Sequence, residues 1–160
     1  MVLVVVCAMM LGAAALADGP VLMLELPDDA LMIEDVQFED GDFIQTYQLS
    51  GGVRVQMLRY AAFDMTLTDL AEGEWTGYTD LQVLALADMN GCLAEGIRLT
   101  HRDEAGNEVI VYMVMADAMG QKLLLSAVFP SEMGEEKIEA DMNAWLATMS
   151  VVGFENEEVG

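Results

Sequence analysis

Positive charge is scarce in this chain. Lys and Arg number 6 against 28 Asp and Glu, a formal charge of −22. A surface of that sign repels nucleic acid and anionic membranes, so neither is an expected partner of the folded domain. Histidine occurs once, as His101, and cysteine twice, as Cys7 and Cys92. One histidine and no Gly-x-Ser-x-Gly elbow leave little material for a nucleophile–base pair. No phosphate-cradling glycine loop and no dinucleotide fingerprint is present either.

What is there is a hydrophobic majority, 54% of 160 residues, which separates this chain from disordered acidic tails. The length suits one domain with a real core. Met1–Ala17 is almost wholly apolar and closes on Ala15-Leu16-Ala17, with small residues at the two positions a signal peptidase pocket reads. Cleavage after Ala17 is expected, although no Lys or Arg precedes the run. A membrane span needs ~20 apolar residues, and this run is shorter. The expected organisation is a signal peptide over 1–17, one domain over 18–152 and an acidic flexible tail over 153–160. Cys7 goes with the leader. Cys92 is then alone, so neither an internal disulfide nor a cysteine zinc site can form.

Turn-formers divide the rest into short elements. Val21–Leu26 reads as a strand stopped by Pro27-Asp28-Asp29, and residues 30–38 as a short strand or an irregular segment. Asp40-Gly41-Asp42 is a turn. Phe43–Leu49 and Val53–Tyr60 form a hairpin around Ser50-Gly51-Gly52. In its second strand Val53, Val55 and Met57 alternate with Arg54 and Gln56, the period of a strand with one buried face. Thr66 heads a short helix, with Asp69 as an imperfect capping-box partner and Gly73 as its end. A four-strand meander follows, at roughly 80–88, 92–101, 108–116 and 121–129. Its first turn is Asn90-Gly91, a strong hairpin signal. Val109–Met115 is apolar at both parities and reads as a strand covered on both faces. After Pro130-Ser131, Ile138, Met142, Trp145, Leu146 and Met149 form one apolar stripe, a long C-terminal helix that must lie on the sheet.

The expected fold class is therefore α+β, with an antiparallel sheet of about six to seven strands, a short mid-chain helix and a long C-terminal helix. That order resembles the PsbP-like fold, shared by an extrinsic photosystem II subunit, DcrB-like exported bacterial proteins and a eukaryotic Ran-binding protein. The resemblance is carried by Leu24-Glu25-Leu26-Pro27, by Asp88-Met89-Asn90-Gly91 before a strand containing Ala94, by Leu123–Pro130 and by Trp145–Ser150. It implies an α/β sandwich and divergent binding or accessory roles, and it transfers no functional residue.

Carboxylates are abundant enough that any two could be named an acid/base pair, so a hydrolase has no specific support. Calcium is the better carboxylate hypothesis, with Asp40, Asp42, Asp88 and Asn90 as candidate ligands. Neither segment matches an EF-hand loop, and turn formation is the ordinary role of such residues. Met113, Met115 and Met119 cluster, and thioethers bind Cu(I), but the first two fall in the most apolar strand, where core packing is the ordinary role. His101, beside Arg102 and Asp103, has the setting of a surface residue. The expectation is an exported, non-enzymatic binding or accessory domain of the bacterial cell envelope or the extracellular space, with no cofactor, recognising a protein or a small ligand. Calcium binding is the alternative, and a carboxylate-dependent hydrolase ranks below it.

Overall fold

The computed structural model describes residues 3–6, 19–39, 41–61, 66–86, 89 and 92–152. The first strands are β1 (Leu3–Val6), β2 (Val21–Leu26), β3 (Leu31–Gln37), β4 (Phe43–Gln48) and β5 (Arg54–Ala61). Helix α1 (Leu67–Glu74) follows, then β6 (Thr79–Val83), β7 (Leu93–Arg102), β8 (Glu108–Ala118) and β9 (Gln121–Pro130). Helix α2 (Glu135–Thr148) and β10 (Ser150–Val152) close the described chain.

The fold is α+β, and its main sheet has seven strands in the order β3-β4-β5-β9-β8-β7-β6. Every pairing in it is antiparallel. A second sheet has the order β1-β2-β10. Residues 30–38 thus contain an edge strand. Val21–Leu26 is a strand outside the main sheet, because its apolar residues Leu22, Leu24 and Leu26 are needed above that sheet. Within the segment expected to be a leader, Leu3–Val6 pairs antiparallel with β2, Leu3 opposite Leu26 and Val6 opposite Met23.

Alternation along the strands divides the core in two. On one face Val55, Met57, Tyr112, Val114, Leu125 and Phe129 pack under β2 and α2, whose Ile138, Met142 and Trp145 point inward. Phe129 and Trp145 stack there with ring centroids 5.4 Å apart. On the other face Ile97, Leu99, Val111, Met113, Met115 and Leu124 pack under α1 through Leu67 and Ala71. Val109–Ala116 is buried throughout, as the apolar run at both parities requires. Met113 and Met115 are core residues, whereas Met119 stands exposed at the β8–β9 turn.

Several local expectations change. The C-terminal helix has 14 residues, so it is an ordinary helix and not a long one. It starts late because Ser131–Met133 forms a 3-10 turn, and Gly134, at φ 88°, reverses the chain ahead of Glu135. The capping box of α1 is complete. Asp69 N–H donates to Thr66 Oγ1 at 3.2 Å, and Thr66 N–H donates to the Asp69 carboxylate at 2.9 Å. Gly73 does not end α1, which runs on to Glu74, and the positive φ comes later, at Gly77. The strand expected over 80–88 spans only Thr79–Val83. Beyond it Leu84 and Leu86 lie over Gly96, where a Cβ would come within 3.2 Å of them. Asn90-Gly91 lies outside the described residues, but Met89 and Cys92 on either side form an antiparallel bridge. The expected tail, 153–160, also lies outside them.

Candidate functional site

Helix α1 is short. Its capping box and a hydrogen bond of 3.2 Å from Leu67 N–H to Glu95 on β7 hold its start over the β7–β8 side of the sheet. Eight residues cover ~12 Å, so α1 packs chiefly on β7 and β8, with Leu124 of β9 and Leu58 of β5 in the same cluster, and leaves the rest of that face open among the described residues. Register lines that open face with polar side chains. Thr46 Oγ1 donates to Glu34 at 2.6 Å, and Gln56 Nε2 donates to Thr46 Oγ1 at 3.2 Å. Ser126, directly opposite Gln56, continues the row and is buried.

Where this row meets the end of α1 there is a cleft of about 430 Å³. Gln56, Ser126, Val109 and Val128 form its floor, Arg54 one side, and Glu74 and Trp75 the helical wall. His101, Asp103 and Glu104 complete it from the end of β7. The His101 and Trp75 rings meet edge to face, centroids 5.4 Å apart. His101 Nδ1 and Trp75 Nε1 are both buried and have no hydrogen-bond partner among the described residues. Buried polar atoms are nearly always paired, so two unpaired ring nitrogens among the residues of one cleft single it out as the candidate site.

Burial pushes the Glu74 carboxyl above its usual range, although much of the side chain stays in solvent, which keeps the effect modest. Asp103 is held below the usual range, chiefly by hydrogen bonding to Asn107. Its two oxygens accept from Ala105 N–H at 2.9 Å, Asn107 N–H at 2.8 Å and Asn107 Nδ2 at 3.1 Å. That carboxylate closes its own turn and is committed there. Ser126 and His101 do not form a nucleophile–base pair. His101 lies opposite Val109 and Val109 opposite Pro130, so Ser126 sits four residues farther along β9. That is ~13 Å along the strand, beyond hydrogen-bonding reach.

Of the calcium candidates, Asp42 is among the described residues, in the β3–β4 turn, whereas Asp40, Asp88 and Asn90 lie outside them. In that turn the Gly41 carbonyl accepts from Nε of the buried Arg59 at 2.9 Å, and also from Arg59 Nη2. Arg59 Nη1 donates to the Pro20 carbonyl at 3.2 Å. Among the described residues no group of three or more His, Cys, Asp or Glu is placed to hold a metal. Cys92 is half-buried. No described helix is long and apolar enough to cross a membrane.

The sequence reading of His101 as a surface residue is corrected: the ring is half-buried against Trp75, a contact no local pattern signals. Trp75, Gln56, Ser126 and Arg54 carry no motif, and pairing register alone brings them together.

No family model matches the chain, and no curated protein does. Among solved structures it is similar to LpqN, described as involved in cell envelope biogenesis of Mycobacterium tuberculosis. The two are 14% identical, with a TM-score of 0.47 over 84% of this chain and 85% of that one. At this level no residue role passes from one to the other.

Proposed function

We propose that this is an exported, non-enzymatic binding domain and that the cleft beneath Trp75 is its ligand seat. The observation that carries the proposal is the pair of buried, unpartnered ring nitrogens, Trp75 Nε1 and His101 Nδ1, on one cleft. With the Ser126 hydroxyl and the Gln56 amide they present donors and acceptors above an apolar floor of Val109 and Val128. Such a mixture suits a small neutral ligand rich in hydroxyls that also offers an apolar face, as a sugar does. A strongly anionic ligand is disfavoured by Glu74, Asp103 and Glu104 on the rim.

A binding role is favoured over hydrolysis because the cleft shows no nucleophile–base pair, and of the two carboxylates beside Glu74 only Glu104 is left uncommitted. Asp103, the depressed one, is bound into its turn, and Ser126 is remote from His101. The apolar leader and the acidic surface support export to the cell envelope or the extracellular space. The PsbP-like likeness supports an accessory role by architecture alone.

The test is a two-dimensional NMR titration of the ¹⁵N-labelled domain with glucose, galactose, N-acetylglucosamine and maltose. Trp75→Phe assigns the indole resonance. A saturable shift of the Trp75 indole N–H with at least one sugar is expected. No shift there with any of them, or shifts confined to other surfaces, would remove the proposal.

A further inference from the structure

A second cleft, of about 410 Å³, opens on the opposite face of the main sheet, beside the start of α2. Its floor comes from alternate residues of three strands. Gln82 lies opposite Arg98, and Thr100 opposite Ile110, which puts these side chains and that of Glu108 on one face. Above them are Ser131 and Glu135, where the chain turns into α2.

Two sets of groups with opposite demands meet here. The first is a donor set. Arg98 is only 6% exposed, and its Nη2 donates to Glu135 at 2.6 Å. Its Nε–H is buried and has no acceptor among the described residues. An unpaired buried donor on a charged group is costly, and an anionic oxygen is its natural complement. Beside it α2 begins at Gly134 with no side-chain cap, so the first amides of the helix add donors and a positive dipole end.

The second set is acidic. Asp80, Glu108 and Glu135 outnumber the single arginine, so the cleft keeps a negative balance that a simple anion would not tolerate. Asp80 is also held in an unusual backbone state. Its φ is 55°, and the β6–β7 register shifts between Thr79 and Gln82, on either side of it. A non-glycine residue at positive φ is uncommon, and an irregularity in the ladder re-aims the side chain it carries. The ladder is thus irregular where Asp80 lines the cleft, and such sparsely populated backbone states collect at binding sites.

We propose that this cleft binds a small zwitterion, with its oxyanion at Arg98 and the α2 start and its ammonium group at Asp80 and Glu108. An oxyanion alone leaves the carboxylates repelled, and an ammonium alone leaves Arg98 Nε unpaired. A molecule with both charges a few ångströms apart answers both demands. Free α-amino acids and phosphoethanolamine share that chemistry.

The experiment follows the Arg98 Nε–Hε resonance of the full chain after removal of any leader. Titrants are glycine, O-phosphoethanolamine, acetate and methylammonium at matched ionic strength. A saturable shift is expected with glycine or O-phosphoethanolamine, and the stronger of the two identifies the oxyanion as carboxylate or phosphate. Acetate and methylammonium should each bind about tenfold more weakly or worse, having lost one charge-assisted contact set. Asp80→Asn keeps a residue that tolerates positive φ, so the melting temperature should hold while zwitterion binding weakens about tenfold. Acetate or methylammonium matching the zwitterions, no response to either zwitterion, or full binding by Asp80→Asn would each overturn the assignment.

Discussion

The Trp75 indole and the His101 imidazole meet edge to face, ring centroids 5.4 Å apart and planes at 75°. The contact joins the end of α1 to the end of β7, and each ring brings a buried, unpartnered nitrogen. His101→Phe preserves the aromatic contact and deletes Nδ1. Its melting temperature should stay close to that of the parent, while affinity for a sugar that shifts the Trp75 indole falls about tenfold, the worth of one buried hydrogen bond. Unchanged affinity would show that Nδ1 takes no part in binding.

Glu74 predicts a pH signature. Its carboxyl is raised in the folded state, so the native protein holds that proton more tightly than the unfolded chain does. Stability therefore declines as pH rises from the unfolded value, about 4.3, through the folded one, and the loss is complete above it. Glu74→Gln removes the penalty. Near neutral pH the variant should melt slightly higher than the parent, and below about pH 4 the two should converge. A variant that melts lower at neutral pH would show that the ionised carboxylate stabilises the fold.

The stack of Trp145 on Phe129 ties α2 to β9, with both rings buried. Trp145→Ala should cost ~3–5 kcal/mol, a large share of the ~5–15 kcal/mol typical of a whole domain. Urea denaturation monitored by circular dichroism measures it. A midpoint equal to that of the parent would contradict the docking of α2.

Export makes a prediction with a structural consequence. Cleavage after Ala17 removes Leu3–Val6 and leaves the Met23–Leu26 edge of β2 without that partner. Mass spectrometry of the secreted protein should find an N-terminus at or next to Asp18. Amides along that edge should exchange faster in the cleaved chain than in a full-length form. Full-length protein recovered from a washed membrane fraction would contradict cleavage.

A calcium site and a solvated acidic surface respond differently to ions. At −22 the protein repels itself, so added salt should stabilise it by screening over ~8 Å at physiological ionic strength. Melts in sodium, magnesium and calcium chloride at equal ionic strength should nearly coincide. A saturable rise with calcium alone, lost in Asp40→Ala or Asp88→Ala, would establish a specific site through its binding to the native state.

The sequence by itself determined many of the elements, though not β1, β10 or the extent of β6, because local signals act over a few residues. Alternation in Val53–Met57, the unbroken apolar run Val109–Met115, the Thr66–Asp69 cap and the Ile138–Met142–Trp145 stripe each specify a strand or a helix and its buried side. Tertiary structure decided where those elements went. Val21–Leu26 has an ordinary strand pattern, and only the need to cover Phe129 and Leu125 beside α2 takes it out of the main sheet. Nor does any local signal bring Arg54 and Gln56 together with Ser126, His101 and Trp75. They become neighbours because β5, β9, β8 and β7 pair in one register and α1 is too short to cover the face they share. Arg98 and Glu135 are 37 residues apart, and a charge pattern within a few residues says nothing of such a pair. A strand's side chains repeat every two residues, whereas a cleft gathers side chains across strands, so the register that sets its chemistry exists only once the chain has folded.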